Sequence, residues 1–256
     1  MSARRLVCAI ALACALAAGG SLARPEGTGS LPYGPGERLD FRLRWQFLVG
    51  GAASMSIVAL PGDSLWRMTT VARSTGLLDA LYPVRDTLAT TVDPEMLWPV
   101  RFEKHQNEGW FHRDSVYIFD QRRGLVHRRG KPSIATALPV HDTLSLLYRV
   151  RAQSLDVGQT ADATVYEGGK LYPVQMRVLR RETVTVPAGT FSCLVIEPRL
   201  PLQAEQKKKG RMLIWLTDDA RRIPVLIHTS ISAGRVSAEL VSYQPPAGPV
   251  TSSSSP

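Results

Sequence analysis

The chain is poor in cysteine, and outside its first 23 residues it has no long apolar run. Cys8 and Cys14 lie within that first stretch, so Cys193 is the only cysteine in the rest of the chain. A single cysteine excludes an internal disulfide, and stability has to come from packing. The longest apolar run, 6–18, is shorter than the roughly 18 to 20 residues of a membrane-spanning helix. The sequence therefore predicts no transmembrane segment once the N-terminal stretch is removed.

The first 23 residues are typical of a cleavable secretory signal. Arg4-Arg5 precedes the apolar run, and the small residues of Ser21-Leu22-Ala23 follow it. We therefore predict a signal peptide at 1–23, a mature N-terminus near Arg24 and a periplasmic location. The alternative is a lipoprotein acylated at Cys14, which follows Ala11-Leu12-Ala13.

Acidic residues are fewer than basic ones, 22 against 31, which makes the formal charge +9. Removing Arg4 and Arg5 with the signal lowers the formal charge to +7. The excess positive charge lies in short clusters beside predicted turns. This position favours the interpretation that the clusters belong to solvated loops and edge strands. The alternative is an anionic partner such as lipid, lipopolysaccharide or acidic glycan; no nucleic-acid-binding motif is present. The clusters are Arg122-Arg123, Arg128-Arg129 with Lys131, Arg180-Arg181, Lys207-Lys208-Lys209 with Arg211, and Arg221-Arg222.

Alternation of apolar and polar residues dominates the chain, as in half-buried strands. In 39–47 every odd position is apolar and every even one polar, so five large side chains share one face. Gly50-Gly51 interrupts this pattern, which predicts a tight bend or a bulge. The further predicted strands are 55–60, 66–73, 85–92, 99–106, 114–119, 124–128, 163–166, 171–181, 182–186, 190–197, 211–217, 222–231 and 235–243.

Only two segments have helical spacing, 77–81 and 141–152. Consecutive strands joined by short turns predict a mainly β fold, in which a curved antiparallel sheet closes into a barrel or a two-sheet sandwich. We expect the helix at 141–152 to plug one end or cover a face. The interior is either filled by side chains or left as a ligand cavity.

The composition predicts a single antiparallel β domain over 36–243. A flexible N-terminal segment at 24–35 precedes it, and a disordered Pro- and Ser-rich tail at 244–256 follows it.

A series of short motifs, taken in their shared order, resembles the exported bacterial domain-of-unknown-function family 3108. The resemblance covers residues 33–243 and implies an envelope location and a mainly β fold, with no established activity or catalytic residue to carry over. The motifs are Gly36-Glu37-Arg38-Leu39, Tyr82-Pro83-Val84-Arg85-Asp86, Val92-Asp93-Pro94 through Leu97-Trp98-Pro99, Glu108-Gly109, Phe119-Asp120, Asp142-Thr143-Leu144-Ser145, Pro187-Ala188-Gly189-Thr190-Phe191-Ser192-Cys193, and Trp215-Leu216-Thr217-Asp218-Asp219 with Pro224-Val225.

Two motifs invite an enzymatic interpretation. Gly62-Asp63-Ser64-Leu65 matches an esterase nucleophile signature, but Pro61-Gly62-Asp63 is typical of a hairpin turn and the chain has no Asp-x-x-His to supply the base. His141-Asp142 resembles the core of metal-dependent phosphohydrolases, which need further ligands from several helices. A helix cap is the favoured interpretation of Asp142.

The remaining candidates each have a simpler structural interpretation. His105 and His112 flank a turn and, with Glu103 or Asp114, could hold a surface metal; solvent-facing polar side chains are the favoured alternative. Cys193 is predicted to face the core, and Asp218-Asp219 to stabilise a turn. Glu182 and Glu197 are the best general-acid candidates if they point into a cavity. We assign no catalytic, ligand-binding, metal-binding or cofactor-binding residue from the sequence.

Three hypotheses for function remain. The first is a non-enzymatic envelope protein that binds an apolar or amphipathic ligand, or a partner protein. The second is an envelope hydrolase that acts on lipid or glycan with carboxylates in the sheet concavity. The third is an interaction module with a filled core that docks a partner through its edge strands and the aromatic residues Trp98, Trp110 and Phe111. The character of any cavity discriminates between them.

Overall fold

The computed structural model describes residues 31–62, 64–136, 139–199, 210–231 and 234–247. In this part of the chain it contains fifteen strands and two short helices. The strands are β1 (Arg38–Trp45), β2 (Leu48–Ala59), β3 (Trp66–Ser74), β4 (Arg85–Asp93), β5 (Trp98–Glu108), β6 (Phe111–Asp120), β7 (Leu125–Arg128), β8 (Lys131–Ala135), β9 (Val140–His141), β10 (Thr160–Glu167), β11 (Lys170–Val186), β12 (Gly189–Arg199), β13 (Arg211–Thr217), β14 (Pro224–Ile231) and β15 (Gly234–Gln244); the helices are α1 (Gly76–Leu81) and α2 (Thr143–Arg151).

All the strands belong to one sheet, built from two meanders that meet where β1 pairs with β15. One meander runs outward from β1 to β8 and the other from β15 to β9. The pairings are antiparallel except that of β9 with β10. This arrangement confirms the predicted mainly β, antiparallel fold.

The sheet curves until its outer strands face each other, although no backbone ladder joins β8 to β9 among the described residues. Lys104 on β5 reaches Glu167 on β10, with 2.8 Å between Nζ and Oε1. The rings of Tyr117 on β6 and Tyr166 on β10 meet edge to face, with 5.0 Å between centroids. The sheet is therefore barrel-like, and side chains rather than backbone hydrogen bonds bring its two sides together.

The first hairpin follows the alternation of its sequence. Leu39, Phe41 and Leu43 are buried in the core. Leu43 pairs with Gly51 and the next residue pairs with Val49, so Gly50 forms the bulge that the sequence predicts. A side chain at Gly50 would collide with Leu78 of α1, since a Cβ there would lie 2.2 Å from Leu78 Cδ1. The pattern fails only at its end, because the strand stops at Trp45 and Phe47 lies exposed in the turn.

Antiparallel pairing places the turns at two ends of the sheet. We define the open end as the turns β1–β2, β5–β6, β7–β8 and β10–β11 together with α1, which lies between β3 and β4. We define the closed end as the turns β2–β3, β4–β5, β6–β7, β11–β12 and β13–β14. Helix α2 lies inside the curved sheet, and its C-terminus reaches the closed end.

An ion pair with no exposed surface on either side chain fills the closed end. Arg151, the last residue of α2, donates from Nη1 and Nη2 to both carboxylate oxygens of Glu37, at 2.8 and 2.7 Å. The guanidinium carbon lies 4.8 Å from the ring centroid of Tyr33 and 5.1 Å from that of Tyr148. The Tyr33 hydroxyl donates to the backbone oxygen of Tyr148 at 2.7 Å. Helix α2 thus plugs one end of the sheet, in agreement with the first of the two placements expected from sequence.

The structure differs from the sequence prediction in several places. The predicted strands 171–181 and 182–186 form one long strand, β11, with a register shift between Val178 and Arg180. Strands β8 and β9 have no counterpart in the prediction.

At the ends of the domain, residues 31–35 and 244–247 are described and are not loose: Tyr33 is buried and the Ala247 amide donates to the Pro35 oxygen at 2.9 Å. The predicted signal peptide, residues 24–30 and residues 248–256 lie outside the described residues. Within the described part, no helix combines the length and apolarity needed to cross a membrane.

Candidate functional site

A cleft with a volume of about 100 Å³ lies inside the curved sheet, toward the open end, and is partly open to solvent. Helix α2 forms one wall with Thr143, Leu144 and Leu147, and the inner face of the sheet forms the rest. Most of the lining is apolar, and the largest members are Met55, Leu88, Met176, Met212, Ile214 and Ile227. Unbranched methionine side chains adjust to irregular shapes more easily than branched ones. This wall is therefore adaptable as well as apolar.

The polar wall of the cleft comes from β4 and β5. Along β5, Lys104, Gln106 and Glu108 are buried and alternate with exposed or half-buried residues, so they share the inner face with Phe102. Asp86 on the neighbouring strand β4 is also buried. Asp86, Lys104 and Gln106 line the cleft directly. We call the group Asp86, Lys104, Gln106, Glu108 and Glu167 the polar cluster.

Hydrogen bonds hold the polar cluster in place. Lys104 donates to Glu167 at 2.8 Å, and Gln106 Nε2 donates to Glu108 Oε1 at 3.3 Å. The Asn107 amide donates to Asp86 Oδ1 at 3.0 Å. The carboxyl groups of Asp86 and Glu108 also share a hydrogen bond, which requires a proton on one of them.

The two carboxyl groups have raised pKa values. Burial, followed by the negative charge of Asp86, raises the pKa of Glu108 to about 7. Burial also raises the pKa of Asp86, against the lowering effects of the Asn107 amide, Glu108 and Lys104. A proton shared by two neighbouring carboxyl groups is the usual result of such an arrangement. Since Lys104 is neutralised by Glu167, the polar wall is anionic or neutral, depending on pH.

Two buried polar atoms near this wall have no hydrogen-bond partner among the described residues, Thr70 Oγ1 and Glu167 Oε2. Thr70 lines the cleft. Buried polar atoms are rarely left unsatisfied in folded proteins. Both atoms are therefore free to accept a hydrogen bond, and the hydroxyl to donate one, when a ligand or water enters.

Most candidates named from the sequence lie away from the cleft. Ser64 is exposed in the β2–β3 turn, Gly62 before it has φ +77°, and Asp63 lies outside the described residues. His105 and His112 are exposed; their Nδ1 atoms lie 2.8 Å from Asp114 Oδ1 and 2.7 Å from Asn107 Oδ1. The hairpin does bring His105 and Asp114 together, but no group of three metal-ligating side chains occurs in the described part of the chain.

The favoured interpretations of Asp142 and Cys193 are confirmed. Asp142 caps α2 through a capping box with Ser145 and accepts from the Thr90 hydroxyl at 2.7 Å. His141 is fully buried, and burial followed by the charge of Arg149 lowers its pKa to about 3. Cys193 is buried, and burial raises the pKa of its thiol to about 12. A buried imidazole with so low a pKa is a weak base, and a thiol with so high a pKa is a weak nucleophile, so both side chains suit packing better than catalysis.

The acidic candidates are held in ion pairs or turns. Glu197 binds Arg199 and Arg211, and Glu182 binds Arg180. Asp219 accepts from the Thr217 hydroxyl and the Arg221 amide, which confirms its role in the turn. None of these carboxyl groups lines the cleft.

Sequence reasoning missed every member of the polar cluster. A signal was present, because the predicted strand 99–106 contains Phe102, and the side chains two and four residues further along share its face. Following that parity would have placed Lys104 and Gln106 inside the sheet. Because the outer face of this strand is polar as well, polarity alone does not distinguish its two faces.

Comparison with protein families gives a match to the family described as protein of unknown function DUF3108, over residues 40–241. The chain belongs to the DUF3108 family. A comparison with curated proteins gives no match.

The fold of this DUF3108 protein is similar to that of a β-barrel-like protein of the DUF1849 family from Brucella abortus, with a TM-score of 0.54 and 10% identity over 84% of this chain and 99% of the other. A protein with a YmcC-like fold from Bacteroides fragilis has a TM-score of 0.33 and 11% identity, over 84% of this chain and 98% of that one. A DUF1089 family protein from Pseudomonas aeruginosa has a TM-score of 0.32 and 10% identity, over 82% and 94%. Only the Brucella likeness is strong enough to support the fold.

Proposed function

We propose that the protein is a non-enzymatic protein of the bacterial cell envelope that binds an apolar or amphipathic ligand in its interior cleft. The observation that carries this proposal is the cleft itself, with an adaptable apolar wall that includes Met55, Met176 and Met212 and a polar cluster at one end. Ligand sites are typically apolar hollows with a few polar groups that orient the ligand.

The size of the cleft limits what enters it. A water molecule needs roughly 10–15 Å³ of such space, and an engineered apolar cavity of about 150 Å³ binds benzene. At about 100 Å³ the cleft suits a short hydrocarbon segment, such as part of an acyl chain or one large apolar side chain of a peptide. Among the described residues, Lys104 is the only basic side chain that lines it, and Glu167 already neutralises that charge. The polar wall therefore favours a ligand group that donates hydrogen bonds, such as a hydroxyl or the protonated carboxyl group of a fatty acid.

A hydrolase is the second candidate, because Asp86 and Glu108 form a buried carboxyl pair with raised pKa values. In glycoside hydrolases the two catalytic carboxyl groups stand about 5 to 9.5 Å apart, with the scissile bond between them. The Asp86 and Glu108 carboxyl groups are instead hydrogen-bonded to each other. This direct contact leaves no room for a substrate bond between them and favours binding over hydrolysis.

The experiment that tests the proposal is to fill the cleft. Ala72 is buried and lines it, so Ala72→Phe should occupy the space that the ligand uses. Ala52, on the neighbouring strand, is exposed, and Ala52→Phe is the matched control. Binding of a fluorescent fatty acid should saturate with the unmodified protein and with Ala52→Phe, and should weaken at least about tenfold with Ala72→Phe. Thermal unfolding of both variants establishes that they are folded.

Equal binding by the two variants, or no saturable binding at micromolar protein, would exclude the cleft as the site. Native mass spectrometry of protein purified from its host tests for a co-purified ligand.

The envelope location is part of the proposal and is supported by the signal-like pattern of Arg4-Arg5, the apolar run and Ser21-Leu22-Ala23. N-terminal sequencing of protein from fractionated cells should find a start near Arg24. Intact Met1 in the cytosol would contradict it, and an acylated Cys14 would identify a lipoprotein instead.

A further inference from the structure

The open end of the sheet carries a set of exposed apolar side chains that we call the apolar rim. It consists of Phe47, Leu48 and Val49 in the first hairpin, Leu77 and Leu81 on α1, and Trp110 in the β5–β6 turn. Trp110 is 97% exposed, Leu81 75% and Phe47 74%. The other large exposed apolar side chains in the described part of the chain, Val58, Ile118, Val157 and Val241, all lie away from the open end. Most of the large exposed apolar side chains of the described residues therefore lie at the open end.

Helix α1 connects the parts of the rim. Leu78 packs against Gly50 of β2, next to the first hairpin. Tyr82, which follows α1, packs against Gly109 in the β5–β6 turn, so closely that a Cβ there would lie 2.5 Å from the ring. The Gly109 amide also donates to the Pro83 oxygen at 2.8 Å. These contacts hold the two hairpin tips and the helix together as one surface. Clustered exposed apolar side chains are unusual in soluble proteins and mark interaction sites.

The same end carries unpaired positive charge. Six exposed basic side chains near the open end form no salt bridge with any described acid: Arg73, Arg113, Arg129, Lys131, Lys170 and Arg235. The acids on the surface of this end are already engaged, since Asp79 binds Arg85 and Asp114 binds His105. The acids of the polar cluster are buried inside the sheet, where Glu167 binds Lys104.

At the closed end most basic side chains are paired instead, although Arg122 in the β6–β7 turn forms no salt bridge with a described acid. Arg38 binds Asp40, Arg221 binds Asp219 and Arg222 binds Asp218. The excess charge of the described residues is therefore concentrated around the apolar rim, where it favours a negatively charged partner.

We infer that the open end docks on a lipid bilayer that contains anionic phospholipid. Tryptophan, phenylalanine and leucine flanked by arginine and lysine are the side chains that enter the boundary between headgroups and acyl chains. The apolar rim inserts at this boundary, and the six basic side chains contact phosphate groups. Docking needs no ligand in the cleft, so this inference stands apart from the proposed function. If both are correct, the cleft faces the membrane that supplies its ligand.

Vesicle sedimentation tests the docking with the purified protein, processed as its host processes it. Binding to vesicles of phosphatidylglycerol and phosphatidylethanolamine should exceed binding to phosphatidylcholine vesicles and should weaken as salt is raised. Phe47→Ser with Trp110→Ser should lower the partition coefficient at least about tenfold. Val58→Ser with Val241→Ser is the matched control, because it removes two exposed apolar side chains away from the open end.

A second pair of variants tests the charge. Arg73→Glu with Arg235→Glu should abolish the preference for anionic vesicles, whereas Arg122→Glu with Arg123→Glu near the closed end should leave it within about twofold. Fluorescence of Trp110 should shift to the blue on binding and be quenched by brominated acyl chains, and both effects should be lost with Trp110→Ser.

Several results would overturn the docking. These are equal effects of rim and control variants, absence of quenching, self-association through the rim without vesicle binding, or binding to lipopolysaccharide alone. The Ala72→Phe variant separates the two proposals, because it should lose the fluorescent fatty acid and still bind vesicles. Loss of fatty-acid binding by the rim variant in the absence of vesicles would instead mean that the rim is part of the cleft.

Discussion

The two ends of the sheet enclose their buried charges in different ways. At the closed end Arg151 and Glu37 form a two-point ion pair, the guanidinium of Arg151 packs against two adjoining tyrosine rings, and neither side chain of the pair is exposed. At the open end Lys104 and Glu167 form a single contact, and Glu167 Oε2 has no partner among the described residues. A buried ion pair whose polar atoms all form hydrogen bonds is rigid. A pair with an unused acceptor atom can still form a hydrogen bond with another molecule. The closed end is therefore the rigid end of the molecule, and the open end is the one at which we propose that a ligand binds.

The largest expected effect is on the closed end. Glu37→Gln leaves the Arg151 charge buried without its counter-ion, which should lower the free energy of unfolding by about 3–5 kcal/mol. Asp40→Asn, which breaks the exposed pair with Arg38, should cost less than about 1 kcal/mol. Urea unfolding of the two variants measures the difference. Equal losses would mean that the closed end is not the rigid part of the molecule.

A smaller loss in the free energy of unfolding is expected from a change at the open end. Lys104→Met removes the partner of Glu167, but the cleft is partly open to solvent and water can replace some of the lost contact. We expect a loss of about 2 kcal/mol, to be compared with Glu37→Gln in the same urea series. Adding Glu167→Gln to Lys104→Met should recover part of it, because no charge then remains unpaired. A loss as large as that of Glu37→Gln would remove the distinction between the ends.

The polar cluster should make stability depend on pH. The pKa of Glu108 is raised from 4.5 to about 7 in the folded protein, so folding favours its protonated form. This contribution is fully present below about pH 4.5 and is lost as the pH rises through about 7. Glu108→Gln should therefore increase the free energy of unfolding at pH 8 by about 1 kcal/mol, which corresponds to a rise of a few degrees in the melting temperature. The melting temperature of this variant should also change less between pH 5 and 8 than that of the unmodified protein. Glu95→Gln, at an exposed acid, is the control, and an unchanged slope in Glu108→Gln would contradict the assignment.

The smallest effect is expected at the apolar rim. Phe47 is exposed, so Phe47→Ser should change the free energy of unfolding by less than about 0.5 kcal/mol. Phe41, on the same predicted strand face, is buried, and Phe41→Ser should cost about 3–5 kcal/mol. Thermal and urea unfolding of the two variants measure these losses. A large loss with Phe47→Ser would show that the rim contributes to folding rather than to docking.

Local patterns were enough to predict most strands. The alternation of 39–47 places Leu39, Phe41 and Leu43 in the core, and the glycine pair after it forms the expected bulge at Gly50. Asp142 caps α2 as its position predicts, and Ser145, which was not predicted to take part, completes a capping box with it. Strands β8 and β9 escaped prediction because one is an exposed edge strand with little apolar alternation and the other has only two residues. Their conformation depends on the strands beside them.

The candidate site was not predictable to the same extent. Glu108 and Asp86 appeared in the sequence as parts of turn and strand motifs, and nothing local indicates that their carboxyl groups meet. Their contact depends on the pairing of β4 with β5, and on the fact that Glu108 lies on the same, inward-facing side of β5 as Phe102. Likewise, Trp110 and Phe47 are far apart in sequence, and the antiparallel order of the strands brings both to the open end.

The sequence by itself determined the mainly β class, which residues of the first strand face the core, and the capped helix. These features follow from side-chain periodicity and from contacts within a few residues. Only the tertiary structure decided that α2 lies inside the sheet, that Arg151 meets Glu37, and that the cleft keeps its polar wall toward one end. These features depend on contacts between residues far apart in the sequence, 114 positions for Glu37 and Arg151 and 63 for Lys104 and Glu167. The curvature that creates such contacts is a property of the whole sheet.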